Sequence, residues 1–361
     1  MDTDRTSPAI TAAPMLAREG ESVAFTRRLA IGLGVFASLP VIGVDGVGRA
    51  TASVAAFEGR VDVGGRALYV EARGEGGPTV VFQAGALGRS DIWSRDLREP
   101  VGARTMVLPG VATFAHVFTY DRPGTIGEVN PALDPTSVPF YPSRSDPVPQ
   151  PRTTGAWARE LRAALDACDV PGPYVLVGHS LGGLSMRYFA STYPDDVVGM
   201  VLVDATHEDV YTEFRKVMTP EQWQTFDAIS TDRAELLAAY PEAEIFLTSP
   251  IDEDPSWSEM REAEAVSPLR PMPLVVLSHG IPFAPPFPGW PTETMEGVMM
   301  ELQDRLAALV PDARHIIAER SGHDIHQDQP DLVIAAIRQV VEAVRDPSGW
   351  TSPATPDATP S

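Results

Sequence analysis

Among its 361 residues the chain has one cysteine, Cys168, and one lysine, Lys216. A single thiol excludes an intramolecular disulfide and a zinc site built on cysteines. Cys168 closes the run Glu160 to Cys168, whose apolar residues recur at helical spacing, so a buried inert thiol is its expected role. Basic side chains number 28 against 49 acidic ones, a formal net charge of −21. That balance excludes nucleic acid and polyphosphate as partners, because both are held by clustered Lys and Arg that release counterions. Neither a G-x-G-x-x-G nor a Walker pattern is present to cradle phosphates. The apolar run Leu29 to Val44 falls short of the roughly 20 residues that a membrane-spanning helix needs.

What is there reads as one large globular domain with insertions and tails: 43% of residues are apolar and 21% charged, enough for a sizeable core. Residues 1–56 read as a leader. Thr26-Arg27-Arg28 stands before the Gly-rich apolar run, and Ala50-Thr51-Ala52 offers the small-x-small pattern of a signal-peptidase site. Paired arginines in this place resemble a twin-arginine export signal and predict an exported or envelope-associated protein with no stable membrane span after processing. Asp2, Asp4, Glu19 and Glu21 dilute the positive charge, and Pro40 and Asp45 interrupt the run. The alternatives are therefore an uncleaved anchor or a plain disordered leader on a cytoplasmic protein. From Pro347 to Ser361 the chain is rich in Pro, Ser and Thr and is expected to be a disordered tail.

From Phe57 the pattern becomes that of a sheet protein, with Gly64-Gly65 separating two short strand-like runs as a hairpin turn would. Val-rich runs at Thr79 to Gln83, Val117 to Asp121, Tyr174 to Gly178 and Gly199 to Asp204 have the length of buried parallel strands, and two more follow at Pro273 to Ser278 and Arg314 to Ala318. Helical patterns lie between most of them, including Leu184 to Tyr193, Met295 to Leu309 and Pro330 to Val344. The alternation predicts an α/β fold with a mostly parallel, doubly wound sheet. The Pro- and Ser-rich stretch Asn130 to Arg152 predicts a surface insertion, and residues 208–267 predict a helical cap after the sixth strand, dividing the core into residues 57–207 and 268–346.

The strongest chemical signal is Gly178-His179-Ser180-Leu181-Gly182, which follows the strand Tyr-Val-Leu-Val and opens a helix, the context of a nucleophile elbow. Such a serine sits on a strained turn that exposes its hydroxyl, and side chains two residues away on either side would collide with the neighbouring strand and helix. An ordinary Gly-rich turn between strand and helix is the bland alternative.

With Tyr120-Asp121-Arg122-Pro123-Gly124 upstream and Ser321-Gly322-His323 downstream, the chain resembles the α/β-hydrolase superfamily from about Glu58 to Val344, in particular esterase-like bacterial members carrying G-H-S-x-G-G, Y-D-R-x-G and S-G-H. The resemblance implies hydrolysis with no cofactor, and no metal site is expected. A serine needs a base, and in this fold a histidine after the last strand supplies it. His323 fits, ahead of the helix that Gln329-Pro330 introduces. His315 lies inside the strand pattern and His326 near the helix start, so core packing and helix capping are their expected roles. A metal pair from His323 and His326 with Asp324 and Asp328 is disfavoured, since no third histidine is near in sequence. The acid is expected after the strand Leu274 to Leu277, yet Ser278-His279-Gly280-Ile281-Pro282-Phe283 contains none. Asp204, ending the preceding strand, is chosen instead; Glu293 is the other candidate, and helix capping is the bland role of each. The amide of Leu181 and, by resemblance of Gln83-Ala84-Gly85-Ala86 to the H-G-x loop, that of Ala86 are expected to form the oxyanion hole.

Asp121 and Arg122 are expected to be a buried structural pair. Trp223, Phe226 and Tyr240 of the cap, with Phe283, Phe287 and Trp290, are expected to line an apolar substrate pocket. These readings together predict a serine hydrolase that cleaves an ester of a small, largely apolar molecule. Peptidase or amidase, acyltransferase and cofactor-free haloperoxidase activities use the same residues, and a non-catalytic ligand-binding homologue is the rival from another class.

Overall fold

The computed structural model describes residues 56–86, 88–98, 102, 104–128, 140–149, 152–231 and 253–350. All but the last residue of the expected leader (residues 1–56), most of the expected tail (residues 347–361) and Tyr240 lie outside them.

The chain opens with β1 (Phe57–Asp62) and β2 (Ala67–Arg73), an antiparallel hairpin whose turn at Gly64 and Gly65 takes φ of 103° and 89°, a region only glycine enters freely. Then come β3 (Thr79–Gln83), the short helix α1 (Val107–Val111), β4 (Val117–Tyr120) and a small hairpin of β5 (Ile126–Glu128) with β6 (Phe140–Pro142). Helix α2 (Thr154–Ala167), β7 (Tyr174–His179), α3 (Leu181–Thr192) and β8 (Val197–Val203) follow, then, among the described residues, α4 (Val210–Val217), α5 (Pro220–Thr231) and α6 (Glu253–Val266). The chain returns through β9 (Leu274–His279), α7 (Thr292–Ala307), β10 (Arg314–Ala318), α8 (Ile325–Asp328) and α9 (Pro330–Arg345).

Eight strands form one sheet in the order β1-β2-β4-β3-β7-β8-β9-β10, with β1, β2 and β4 antiparallel neighbours and every other pairing parallel. The Val-rich runs are buried on both faces because helices cover both. On one face Val80, Val177, Val201 and Leu277 pack with residues of α1 and α9; on the other, Val81, Leu176, Leu202 and Val276 pack with α2, α3 and Leu306. A third apolar cluster joins Leu181 and Leu184 of α3 to Phe214, Trp257, Met295 and Leu302, so α4, α6 and α7 lie over the start of α3. The Pro- and Ser-rich insertion is fastened to the sheet edge: Ser145 Oγ accepts from Tyr69 N at 2.9 Å and donates to Asp121 O at 2.6 Å. The segment expected to be a disordered tail begins otherwise. Pro347–Gly349 form a 3-10 turn, and Trp350, 9% exposed, joins the core cluster beneath the Arg314 guanidinium. A composition rich in small and polar residues hides one aromatic anchor.

Candidate active site

At the carboxyl end of β7 the backbone turns sharply. Ser180 takes φ 52° and ψ −128°, a conformation that a residue with a Cβ adopts only when its surroundings impose it. The flanking glycines show what imposes it. A Cβ on Gly178 would come within 2.6 Å of the Gly183 Cα, one on Gly182 within 2.4 Å of the Ala84 carbonyl oxygen, and one on Gly183 within 2.3 Å of the Ala205 Cβ. Strand and helix therefore meet closer than side chains allow, and the serine is held at the apex. Its backbone is pinned on both sides, N–H to Val203 O at 3.1 Å and O accepting from Thr206 N at 3.0 Å. Leu181 occupies the first helical position, where a backbone N–H has no intrahelical acceptor and is left for another group.

Asp204 follows β8 directly and also takes a positive φ, 43°, which leaves its carboxylate buried at the same sheet edge. His323, in the loop between β10 and α8, places Nδ1 2.6 Å from Asp204 Oδ2. That bond fixes the ring and leaves Nε2 as the nitrogen available for proton transfer. Asp204 has a second partner that the sequence did not single out. His279, the last residue of β9, places Nδ1 2.8 Å from Asp204 Oδ1 and donates its backbone N–H to the same oxygen at 3.1 Å, while its Nε2 lies 2.8 Å from Glu296 Oε2. Burial alone would raise the Asp204 carboxyl, but the hydrogen bonds and charges of the two histidines hold it well below the usual carboxylate range. Glu293 stands exposed in the first turn of α7, where its charge suits the helix dipole, and His323 is bonded to Asp204 instead. The glutamate that reaches inward is one turn later, Glu296.

Ala86 lies in the loop after β3 beside Gly85. Arg122, fully buried over the face of Trp157, donates through Nη2 to the carbonyl oxygens of Gly85 and of Ala86, the latter at 2.9 Å. In a trans peptide the carbonyl and the following N–H point opposite ways, so this grip turns the Ala86 amide away from the guanidinium. Asp121 and Arg122 are both buried and tie the end of β4 to neighbouring loops, as expected of structural residues, each through its own partners. Asp121 accepts from Arg144 Nε at 2.7 Å and from Ser90 Oγ at 2.5 Å, closing the insertion onto β4.

Ser180 and His323 line one cavity of about 230 Å³, together with Gly85, Ala86, Gly88, Ile92, Leu97, Arg98, His179, Asp324, His326 and Gln327. Of the six aromatic residues expected to line the substrate pocket, the five that are described, Trp223, Phe226, Phe283, Phe287 and Trp290, are not among them. Trp223, Phe226 and Trp290 pack into the cluster above α3, with ring centroids 5.7 to 5.8 Å apart, and Phe287 packs against Trp290. Phe283 sits 4.7 Å from the His279 ring and 5.4 Å from the His323 ring. Trp223, Phe226, Phe287 and Trp290 are thus spent on packing against one another and the cluster above α3, while Phe283 lies against the two histidines.

The remaining histidines have other surroundings. His315 is bonded between Ser278 Oγ at 2.7 Å and Asp304 Oδ1 at 2.9 Å. His326 is buried against Trp93 and His179, and burial pushes it down to about 3. The fold supplies the third histidine that the sequence did not place near: His179, Asp324 and His326 bring ligand atoms within 4.8 Å of one another. Two of these are already engaged, His179 Nε2 donating to His323 O at 3.1 Å and Asp324 accepting from Arg98 at 3.2 Å. The trio thus braces the loop that carries His323.

A model of the alpha/beta hydrolase family matches residues 76–336. The uncharacterized protein YqjL of Bacillus subtilis (strain 168) is 27% identical over 284 residues, 77% of this chain and 89% of that one. Among solved structures, a putative lipase from Acinetobacter baumannii AYE is similar with a TM-score of 0.51 at 19% identity, covering 81% of this chain and 93% of its own. A bromoperoxidase from Bacillus anthracis follows with 0.50 at 15%, covering 79% and 100%. At such identities the likeness to these structures reaches the fold alone. Among the described residues no helix is long and apolar enough to cross a membrane.

Proposed function

Because the chain belongs to the alpha/beta hydrolase family, we propose that it is a serine hydrolase cleaving a carboxylic ester of a small molecule, with Ser180 as nucleophile, His323 as base and Asp204 as the acid that orients it. The observation that carries this reading is the strained Ser180 sharing a cavity with a histidine whose far nitrogen is tied to a buried carboxylate at 2.6 Å. As the Ser180 Oγ attacks the ester carbonyl, its proton passes to His323 Nε2. The oxyanion is received by the N–H groups of Leu181 and Ala86. Collapse breaks the ester C–O bond, the leaving alkoxide takes the proton from His323, and an acyl-Ser180 remains. Water then attacks with the same base, and the acid and free serine are released.

Cavity size supports a short acyl group, since 230 Å³ is below the roughly 300 to 1,000 Å³ of sites for drug-sized ligands. Its wall of Gly85, Ala86, Gly88, Ile92 and Leu97 is apolar, whereas Arg98, Asp324 and Gln327 make the rest polar. This supports a less uniformly apolar substrate than aromatic residues alone would suggest. The test is a hydrolysis profile over p-nitrophenyl esters from acetate to octanoate, beside amide and lactone panels, for the wild-type protein and Ser180→Ala. Expected are a maximum at the shortest esters and a loss of at least about 10³-fold in Ser180→Ala. Activity within tenfold of wild type in the variant would overturn the nucleophile, and faster turnover of amides than esters would overturn the bond class.

A further inference from the structure

The loop after β9 lacks the acid usual in this fold, and what stands at the strand's end instead is His279, 2% exposed. Its ring lies between two carboxylates: Nδ1 at 2.8 and 3.0 Å from the oxygens of Asp204, Nε2 at 2.8 Å from Glu296 Oε2. A neutral imidazole has one N–H and one lone pair. In this position it would aim the lone pair at a carboxylate oxygen, whereas an imidazolium donates to both, the arrangement that matches two ionised carboxylates. Glu296 is itself fixed, its other oxygen accepting the Phe283 N–H at 2.9 Å.

We propose that His279 is a positioning residue, a buried imidazolium braced by Glu296 that clamps Asp204 Oδ1 and so presents Oδ2 to His323. This rests on the proposed roles of Ser180, His323 and Asp204. The ring is gripped from Asp204 after β8 and from Glu296 on α7, with His323 beyond Asp204. From β10 the paired residue is the uncharged Ala318, and Glu319 after it is exposed. Burial works against the charge, but the bonds and charges of Asp204 and then Glu296 outweigh it and push His279 up to about 9. A carboxylate on each side of one imidazolium leaves a single net negative charge beside His323, the same as a lone aspartate would. The arrangement therefore adds rigidity to Asp204, with Glu296 offsetting part of the imidazolium's opposing charge.

The protonation of His279 is read directly by NMR of protein carrying ¹⁵N-labelled histidine, with seven histidines in the chain and the His279 signals identified by their loss in His279→Asn. Expected is a ring with two protonated nitrogens at pH 7.5 that titrates near 9. In Glu296→Gln the titration moves down by at least about one pH unit, the usual effect of losing an opposite charge at contact distance. The same variant should lose kcat by roughly 10²-fold, as misplacement of a catalytic group does, with KM little changed. A singly protonated ring at pH 7.5, an unmoved titration in Glu296→Gln, or an unchanged kcat would each overturn the proposal. Glu296 is on a surface helix and half-buried, so its variant keeps the test open even if His279→Asn does not fold. Activity surviving in Ser180→Ala would instead sink the reading on which the proposal rests, while the NMR titration needs no turnover at all.

Discussion

His279 holds its second proton more tightly in the folded chain, where the carboxylates outweigh burial and raise it to about 9, than in the unfolded chain, where 6.5 is usual. A raised value means stability fully present below about 6.5 and lost as pH rises through 9. Asp204 works in the opposite sense: held below its usual 3.8 when folded, it contributes stability above that pH and loses it as acid is added. The urea midpoint should therefore fall between pH 6.5 and 9 in wild type, and this fall should be smaller in His279→Asn. Equal slopes for the two proteins would show that the imidazolium does not stabilise the fold. Ser180 and Asp204 were legible because each follows an apolar strand directly, and strand ends meet at one edge of an α/β sheet. His279 and Glu296 were not. Seventeen residues separate them along the chain, and a glutamate near a helix start is already explained by the dipole; only the fold shows which of Glu293 and Glu296 turns inward.

Strand runs were readable because valine-rich segments of five to seven residues suit a sheet buried on both faces. Pocket walls were not, since whether an aromatic ring faces substrate or a neighbouring helix depends on how α4 to α7 pack. The loop after β3 illustrates a related gap. Its Gly-rich sequence suggests a turn, but what aims its amides is Arg122, brought from the end of β4 with its charge buried. Arg122→Gln would free the Gly85 and Ala86 peptides to rotate. The expected loss is about 10² to 10³ in kcat, the scale for removing one oxyanion donor, at little change in KM. Steady-state kinetics with p-nitrophenyl acetate would measure it, and a variant with wild-type kcat would show that the loop orients itself.

On the scale of the whole molecule, β1 begins the described fold at Phe57, and every buried core side chain among the described residues lies between Leu68 and Trp350. We propose that the segment before β1 directs export and is removed. Mass analysis of protein from the native host should give a chain starting near residue 53, and recombinant protein lacking residues 1–55 should match the longer form in kcat and KM. A cytosolic product with Met1 intact would refute export. The order of the chain has a further consequence. Asp204 meets a histidine 119 residues further on. At ribosomal rates of about 5 to 20 residues per second, roughly 6 to 24 s pass between the synthesis of the two. On the proposed chemistry a nascent polypeptide thus carries its nucleophile long before its base, and a fragment broken off ahead of β10 is inert. On that chemistry hydrolytic power arrives only once β10 and the loop after it have been made.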